Sequence, residues 1–325
     1  MLKLVVLTCI LGLARGSVIS TDVNSDRELL LAFVVNRHGE RTPDADELSL
    51  SNVQEKIKNL TYIEGPEGLT NEGKGRAFQI GKFVSQRYGS QGYGLLSKIY
   101  FQDEIQVRST DKERTKMTAL VALSAVYPPE VEQQWDEGLG KIWQPVPYTA
   151  VPLSEDYITL GLDIPEWSKP LQPRLSEAAR LAYRLYFRND EMKKLGGGVL
   201  LNDFITAATD IIAGKEVKKR FRWFSAHDFN IGALMDVSKV VRKDQGIPEY
   251  GSLFALELYR SKTDGEYTVL PVYLTKAGQS TAYPLNIADC DPCHQCNFTK
   301  FVDITQEYRL TEKEFYNVCN IRTEL

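Results

Sequence analysis

The sequence predicts an α/β protein: a mostly parallel central sheet flanked by helices, with a shortened helical cap inserted into it. Three observations predict this. Short apolar runs rich in β-formers are followed by stretches with helical spacing. Three of those runs end in Arg, His or Asp, as strands do where open α/β sheets line a ligand crevice at their carboxyl ends. A chain of 325 residues, 43% hydrophobic and 25% charged, can bury a full core and does not have the composition of a disordered or fibrous protein. No internal repeat is visible.

Residues 1–16 read as a secretory signal peptide. Lys3 gives a basic start, Leu4 to Ala14 is an apolar run too short to span a bilayer comfortably, and Ala14 and Gly16 are small. Cleavage after Gly16 leaves an exported chain more acidic than the net −4 of the whole sequence. That charge implies no nucleic-acid partner. The stretch from Asn317 to Leu325 has no apolar run, so no membrane anchor is expected.

Glu28 to Val35 is a continuous apolar run suited to a strand buried on both faces. It delivers Asn36, Arg37, His38, Gly39, Glu40, Arg41, Thr42 and Pro43. Beyond Leu69, the spacing of Phe78, Ile80, Phe83 and Val84 predicts a helix to Tyr88, with Thr70 as N-cap and Gly89 as stop. Glu104 to Asp111 reads as a short strand carrying Arg108, and Lys112 to Val126 as a helix closed by Pro128 and Pro129. Residues 130–215 differ in character: a Pro-rich stretch from Trp143 to Pro152, then helices around 174–188 and 199–213, broken by Gly196, Gly197 and Gly198. This segment is expected to be the cap, and residues 17–129 and 216–325 the core. Strand character returns from Arg222 to Ala226, followed by His227 and Asp228. Leu253 to Tyr259 and Tyr267 to Tyr273, joined through Lys262 to Gly265, read as a β-hairpin.

Cysteine usage supports an oxidising compartment. Cys9 leaves with the signal peptide, and Cys290, Cys293, Cys296 and Cys319 form an even set that allows three pairings. Cys290, Cys293 and His294 also fit a haem-attachment pattern, and three cysteines with His294 would suit zinc. Oxidation competes with both in an exported chain, so two disulfides and no metal or cofactor are expected. Asn59 and Asn297 each begin an N-glycosylation pattern.

Only three histidines exist, and two of them follow strand runs beside Arg or Asp. Gly39 lets backbone approach a bound group closely, and the forked guanidinium groups of Arg37 and Arg41 suit phosphate oxygens. The run Arg37, His38, Gly39, Glu40, Arg41, Thr42, Pro43 resembles the R-H-G-x-R-x-P signature of the histidine acid phosphatases, the acid phosphatase and phytase branch of the histidine phosphatase superfamily. The order of further segments is similar too: Leu69 to Lys74, Val107 to Asp111 with Arg114 and Thr115, Trp143 to Pro147, and Ser225 to Asp228. The resemblance covers nearly all of the mature chain. It implies a secreted enzyme that hydrolyses phosphate monoesters through a phosphohistidine. His38 would be the nucleophile, Asp228 the proton donor, and Arg37, Arg41, Arg108 and His227 the phosphate ligands. It also favours Cys290 with Cys296, leaving Cys293 for Cys319.

The sequence departs from the resemblance in three places. The interval between Trp143 and Ser225 is shorter than in the vertebrate acid phosphatases, the cap cysteines are missing, and Phe229 and Asn230 follow Asp228 where animal enzymes tend to carry threonines. Asn230 is similar to the phytase branch. A catalytically weak phosphatase-like protein that binds small ligands in the same cleft, with Trp135, Trp143 and Trp167 lining a pocket, is the alternative reading.

Overall fold

The computed structural model describes residues 26–49, 51–150, 185, 187, 189–241, 246–290 and 295–319. In chain order the elements are β1 (Arg27–Arg37), α1 (Ala45–Ser49), α2 (Gln54–Leu60), α3 (Asn71–Tyr88), β2 (Ile105–Ser109), α4 (Glu113–Val126) and β3 (Thr149–Ala150). They continue with α5 (Asp190–Ile212), β4 (Phe221–Ala226), α6 (Asp228–Val237), β5 (Leu253–Ser261), β6 (Tyr267–Leu274), β7 (Tyr283–Pro284), β8 (Cys296–Asn297), α7 (Phe298–Thr305) and α8 (Glu312–Val318).

The strands form one sheet in the order β3-β2-β4-β1-β5-β6-β7, with β8 also on β6. From β3 to β1 neighbours run parallel. From β1 onward they are antiparallel. The sheet is therefore mixed, and the expected parallel character holds for the half that needs helical crossovers. The antiparallel half follows from the hairpin, whose turn passes through Gly265 at φ 77°.

β1 is central and buried on both sides, which its continuous apolar sequence demands. Leu31, Phe33 and Val35 point to a layer shared with α5 and α6, while Ala32 and Val34 point to a layer shared with α3 and α4. A register shift between Leu29 and Leu31 puts Leu30 on the same side as Leu31. Full burial of each large apolar side chain contributes roughly 1.5–3 kcal/mol. Those two layers fix the sheet between two sets of helices.

α3 starts as its sequence predicts: the Thr70 side chain accepts from the Gly73 amide. α5 does not follow expectation. It runs through Gly196, Gly197 and Gly198 as one helix, because packing overrides the low helix propensity of glycine. A Cβ on Gly197 would lie 2.7 Å from the Ala233 carbonyl oxygen, and one on Gly198 2.3 Å from that of Tyr308. These glycines let α5 approach α6 and the segment before α8. Leu201, Phe204 and Ala208 of α5 are fully buried in the β1 layer, so α5 packs on the core although it lies within 130–215. Residues 151–184, 186 and 188 of the expected cap lie outside the described residues, as do residues 1–16, expected to be a signal peptide. α5 is long and apolar enough to cross a membrane, and 56% of that stretch is buried inside the fold.

Cys290 and Cys296 are disulfide-bonded. The expected Cys293–Cys319 bond is not formed at Cys319, a free thiol at the end of α8 whose sulfur packs on the β1 layer. Cys293 and His294 lie outside the described residues. The bond takes two of the sulfurs that the zinc alternative requires.

Candidate active site

The site assembles where β1, β4 and the N-termini of α4 and α6 meet. β1 ends at Arg37, and the next residue is locked on both sides: the His38 amide donates to the Ala226 carbonyl (3.1 Å), and the His38 carbonyl accepts from the Gly251 amide (3.1 Å). The following turn is pressed onto α3. A Cβ on Gly39 would sit 2.2 Å from the Gly73 carbonyl oxygen, so only glycine fits there.

His38 is 3% exposed. Its Nδ1 lies 2.7 Å from the Gly39 carbonyl oxygen. A carbonyl can only accept, so Nδ1 carries the proton and Nε2 is left with its lone pair. Arg114, in the first turn of α4, donates its Nε–H to that lone pair at 3.1 Å. The His227 ring stands edge-on to His38 with centroids 5.4 Å apart, and its Nε2 is 3.0 Å from Thr110 Oγ1.

The cations around the two histidines are each partnered. An Arg37 amino group meets Asp228 Oδ2 at 3.1 Å, another donates to the Pro248 carbonyl at 2.6 Å, and the guanidinium lies 4.0 Å above the Tyr250 ring. Its Nε is buried without a hydrogen-bond partner among the described residues. Arg41 forks onto Glu47 at 2.6 and 3.0 Å and reaches Asp44 at 3.4 Å. Arg114 also donates to Glu67 Oε1 at 3.0 Å.

Burial, His227 and the positive charges of Arg114 and Arg37 hold His38 well below the usual histidine range. Burial and the same arginines, with Lys112 and Arg41, depress His227 to about 3. Both rings stay neutral far into acid. A neutral imidazole inside a ring of cations can attack an electrophilic centre whose oxygens carry negative charge.

Of the residues expected at the site, His38, Arg37, His227 and Asp228 come together, and Arg41 joins through its charge on His227. Arg108 is set back from them. It pairs with Phe224, which is level with Val35 in β1 and so two residues below Arg37. Ile105 and Val107 point to the α3/α4 layer, so strand alternation turns Arg108 to the α5/α6 face, which Val35 and Arg37 share, but one step deeper into the fold, where its charge acts on Asp203 of α5. Arg114 is the arginine that bonds to His38. A signal was present: Arg108 precedes the end of a strand, whereas Arg114 follows it at a strand-to-helix corner, where crevices lie. Tyr250 and Glu67 were also missed, since both sit on loops without periodic pattern. Asn230 has a local role, its Oδ1 accepting from the His227 amide at 3.1 Å. Trp135 is 53% exposed and donates to the Trp143 carbonyl; Trp167 lies outside the described residues. A cavity of about 330 Å³ at the start of α5, lined by Leu195, Tyr308 and Leu310 among others, shares no residue with this cluster.

A family model described as "Histidine phosphatase superfamily (branch 2)" matches residues 28–152, which include Arg37, His38, Arg41 and Arg114. Among curated proteins, the venom acid phosphatase Acph-1 of Apis mellifera is 26% identical, covering 94% of this chain and 91% of the relative. The chain is similar to the histidine acid phosphatases. The prostatic acid phosphatase of Homo sapiens is 27% identical over 86% of this chain and 85% of its own, and the human lysosomal acid phosphatase 25% over 91% and 81%. Among solved structures, the phytase of Klebsiella sp ASR1 superposes with a TM-score of 0.55 at 16% identity, covering 89% of this chain and 96% of that one. That likeness concerns the fold. Likeness to acid phosphatases over most of the chain supports a phosphomonoesterase.

Proposed function

We propose that the protein is an exported acid phosphatase that hydrolyses phosphate monoesters through a phosphohistidine at His38. The observation that carries this reading is the His38 tautomer: Nδ1 is committed to the Gly39 carbonyl, and the Nε2 lone pair faces the arginines. A phosphate displacing Arg114 from Nε2 brings phosphorus against that lone pair. Arg37, through its buried free Nε, and Arg114 then hold the phosphate oxygens, with Arg41 and His227 beside them. Nε2 bonds to phosphorus as the ester P–O bond breaks, and protonated Asp228 gives its proton to the departing alkoxide. Water then attacks the phosphohistidine, Asp228 takes one of its protons back, and inorganic phosphate leaves with Nε2 restored.

Acid working conditions follow from this division of labour. The donor must be protonated, which calls for acid, while burial and the surrounding arginines keep His38 unprotonated there. Export rests on residues 1–16 and on the Cys290–Cys296 bond. Asn59 and Asn297 are exposed and available for glycosylation.

The test is steady-state hydrolysis of an aryl phosphate from about pH 4 to 8, with vanadate as inhibitor, for wild type and Asp228→Asn. Activity on the acid side, competitive inhibition, and a loss in Asp228→Asn that is larger for alkyl than for activated aryl esters are expected. Equal losses for both ester classes would remove Asp228 from proton transfer.

A further inference from the structure

One acidic side chain at the site has no part in the chemistry above. Glu67 stands at the mouth, with its side chain 36% exposed. Its Oε1 takes the Arg114 guanidinium at 3.0 Å and its Oε2 meets Lys112 Nζ at 3.4 Å. A single guanidinium therefore separates its carboxylate from His38 Nε2.

Its backbone is as unusual as its position. Glu67 has φ 60°, a left-handed conformation that non-glycine residues seldom adopt. The loop is held in that shape by its neighbours. The Glu67 amide donates to the Pro43 carbonyl, the Thr42 hydroxyl to the Gly65 carbonyl, the Gly68 amide to Thr42 Oγ1, and the Thr42 amide to the Gly68 carbonyl. The anchoring residues directly follow Arg41, so the loop is tied to the nucleophile's own turn. A strained residue fixed so firmly beside a reactive group is a place to look for function.

We infer that Glu67 is a specificity-determining residue that excludes substrates carrying negative charge beyond the reacting phosphate, selecting monoesters of uncharged alcohols. The inference rests on the reading of His38 as phosphoryl acceptor. In the resting site the carboxylate holds Arg114. When the reacting phosphate takes Arg114, Glu67 remains nearby as a fixed negative charge on the solvent side, where the leaving group must lie. Burial would favour its neutral form, but in the resting site Arg114 and Lys112 hold its carboxyl below the ordinary range, and Lys112 stays beside it when the phosphate takes Arg114. A second carboxylate or phosphate on the leaving group then meets a like charge across a partly screened gap, a penalty of about 3- to 10-fold in kcat/KM.

The experiment compares phenyl phosphate with its ring-carboxylated analogue in wild type, Glu67→Gln and Glu67→Gly. Gln removes the charge and keeps the backbone strain; Gly removes both, and suits φ 60° should the Gln variant fold poorly. Wild type should prefer the uncharged ester about 3- to 10-fold more strongly than either variant does. Activity of the variants on the uncharged ester should stay within about threefold of wild type, and inorganic phosphate should inhibit them more tightly. An unchanged preference, or an equal fall in kcat for both esters, would overturn the inference and leave Glu67 as a brace for Arg114. Absence of turnover in wild type on both esters would instead overturn the phosphatase reading itself, and this inference with it.

Discussion

Two places in this molecule bury charged groups, and they do so in opposite ways. In the layer between the sheet and α3, Arg87 and Glu257 are 9% and 0% exposed and form a two-pronged pair at 2.7 and 2.6 Å. The hydroxyls of Tyr88 and Tyr259 complete the carboxylate, each at 2.7 Å, and the Tyr93 ring lies 5.1 Å from the guanidinium. Burial alone would lower the Arg87 pKa, yet Glu257 drives it well above its usual value. At the end of β1 the balance differs: Arg37, Arg41, Arg114 and Lys112 surround two neutral histidines, and their carboxylates approach from the periphery. The first arrangement leaves nothing for a ligand to add. The second gathers positive charge and leaves Arg37 Nε without a partner among the described residues, which an anion can satisfy.

The largest expected contrast comes from removing the central group of each place. His38→Ala should cost at least about 10³-fold in hydrolysis while the fold survives. Glu257→Ala should cost about 3–5 kcal/mol of stability, because it strands a buried guanidinium, while activity per folded molecule is retained. Denaturant melts beside an aryl phosphate assay check both; a structural collapse in His38→Ala or a selective activity loss in Glu257→Ala would erase the distinction. Arg114→Ala should lower kcat/KM by about 10²–10³-fold, and Arg108→Ala by far less, since Arg114 bonds to His38 while Arg108 lies two residues below Arg37.

The pH dependence of stability sharpens the comparison further. Folded His227 stays neutral to about 3, whereas an unfolded histidine takes up a proton near 6.5. The unfolded state binds the extra proton between those values, so the contribution is full above 6.5 and falls as pH is lowered. At pH 5 the loss is about 2 kcal/mol for this group. The fall in melting temperature from pH 7 to 5 should be shallower in His227→Asn; an unchanged slope would mean that His227 is not held neutral. Smallest is Tyr259→Phe, which removes one hydroxyl from Glu257 and should cost about 1–2 kcal/mol without altering activity.

Much of this architecture was legible in the sequence because periodicity reports burial directly. β1 is apolar without interruption because both its faces are covered, and α3 begins at the cap that Thr70 announces. His38, Arg37, His227 and Asp228 were legible because each follows or ends a strand run. What was not legible depended on level along the strand. Arg108 lies two residues below Arg37, and the corner after β2 brings Arg114 to His38. The glycines of α5 read as a break because propensity is local, while the close approach to Ala233 and Tyr308 that requires them is not. Glu67 and Tyr250 lie on loops whose shape comes from long-range hydrogen bonds, for which a single sequence carries no period.

The central claim is that Nε2 of His38 accepts the phosphoryl group. Rapid acid quench of wild type during turnover, followed by peptide mapping under conditions that preserve acid-labile phosphate, tests it most directly. The account predicts a phosphoimidazole on His38, absent in His38→Ala and accumulating and decaying at rates compatible with turnover. Phosphate found on another residue, or single-step hydrolysis with no labelled protein in an active wild-type enzyme, would contradict it.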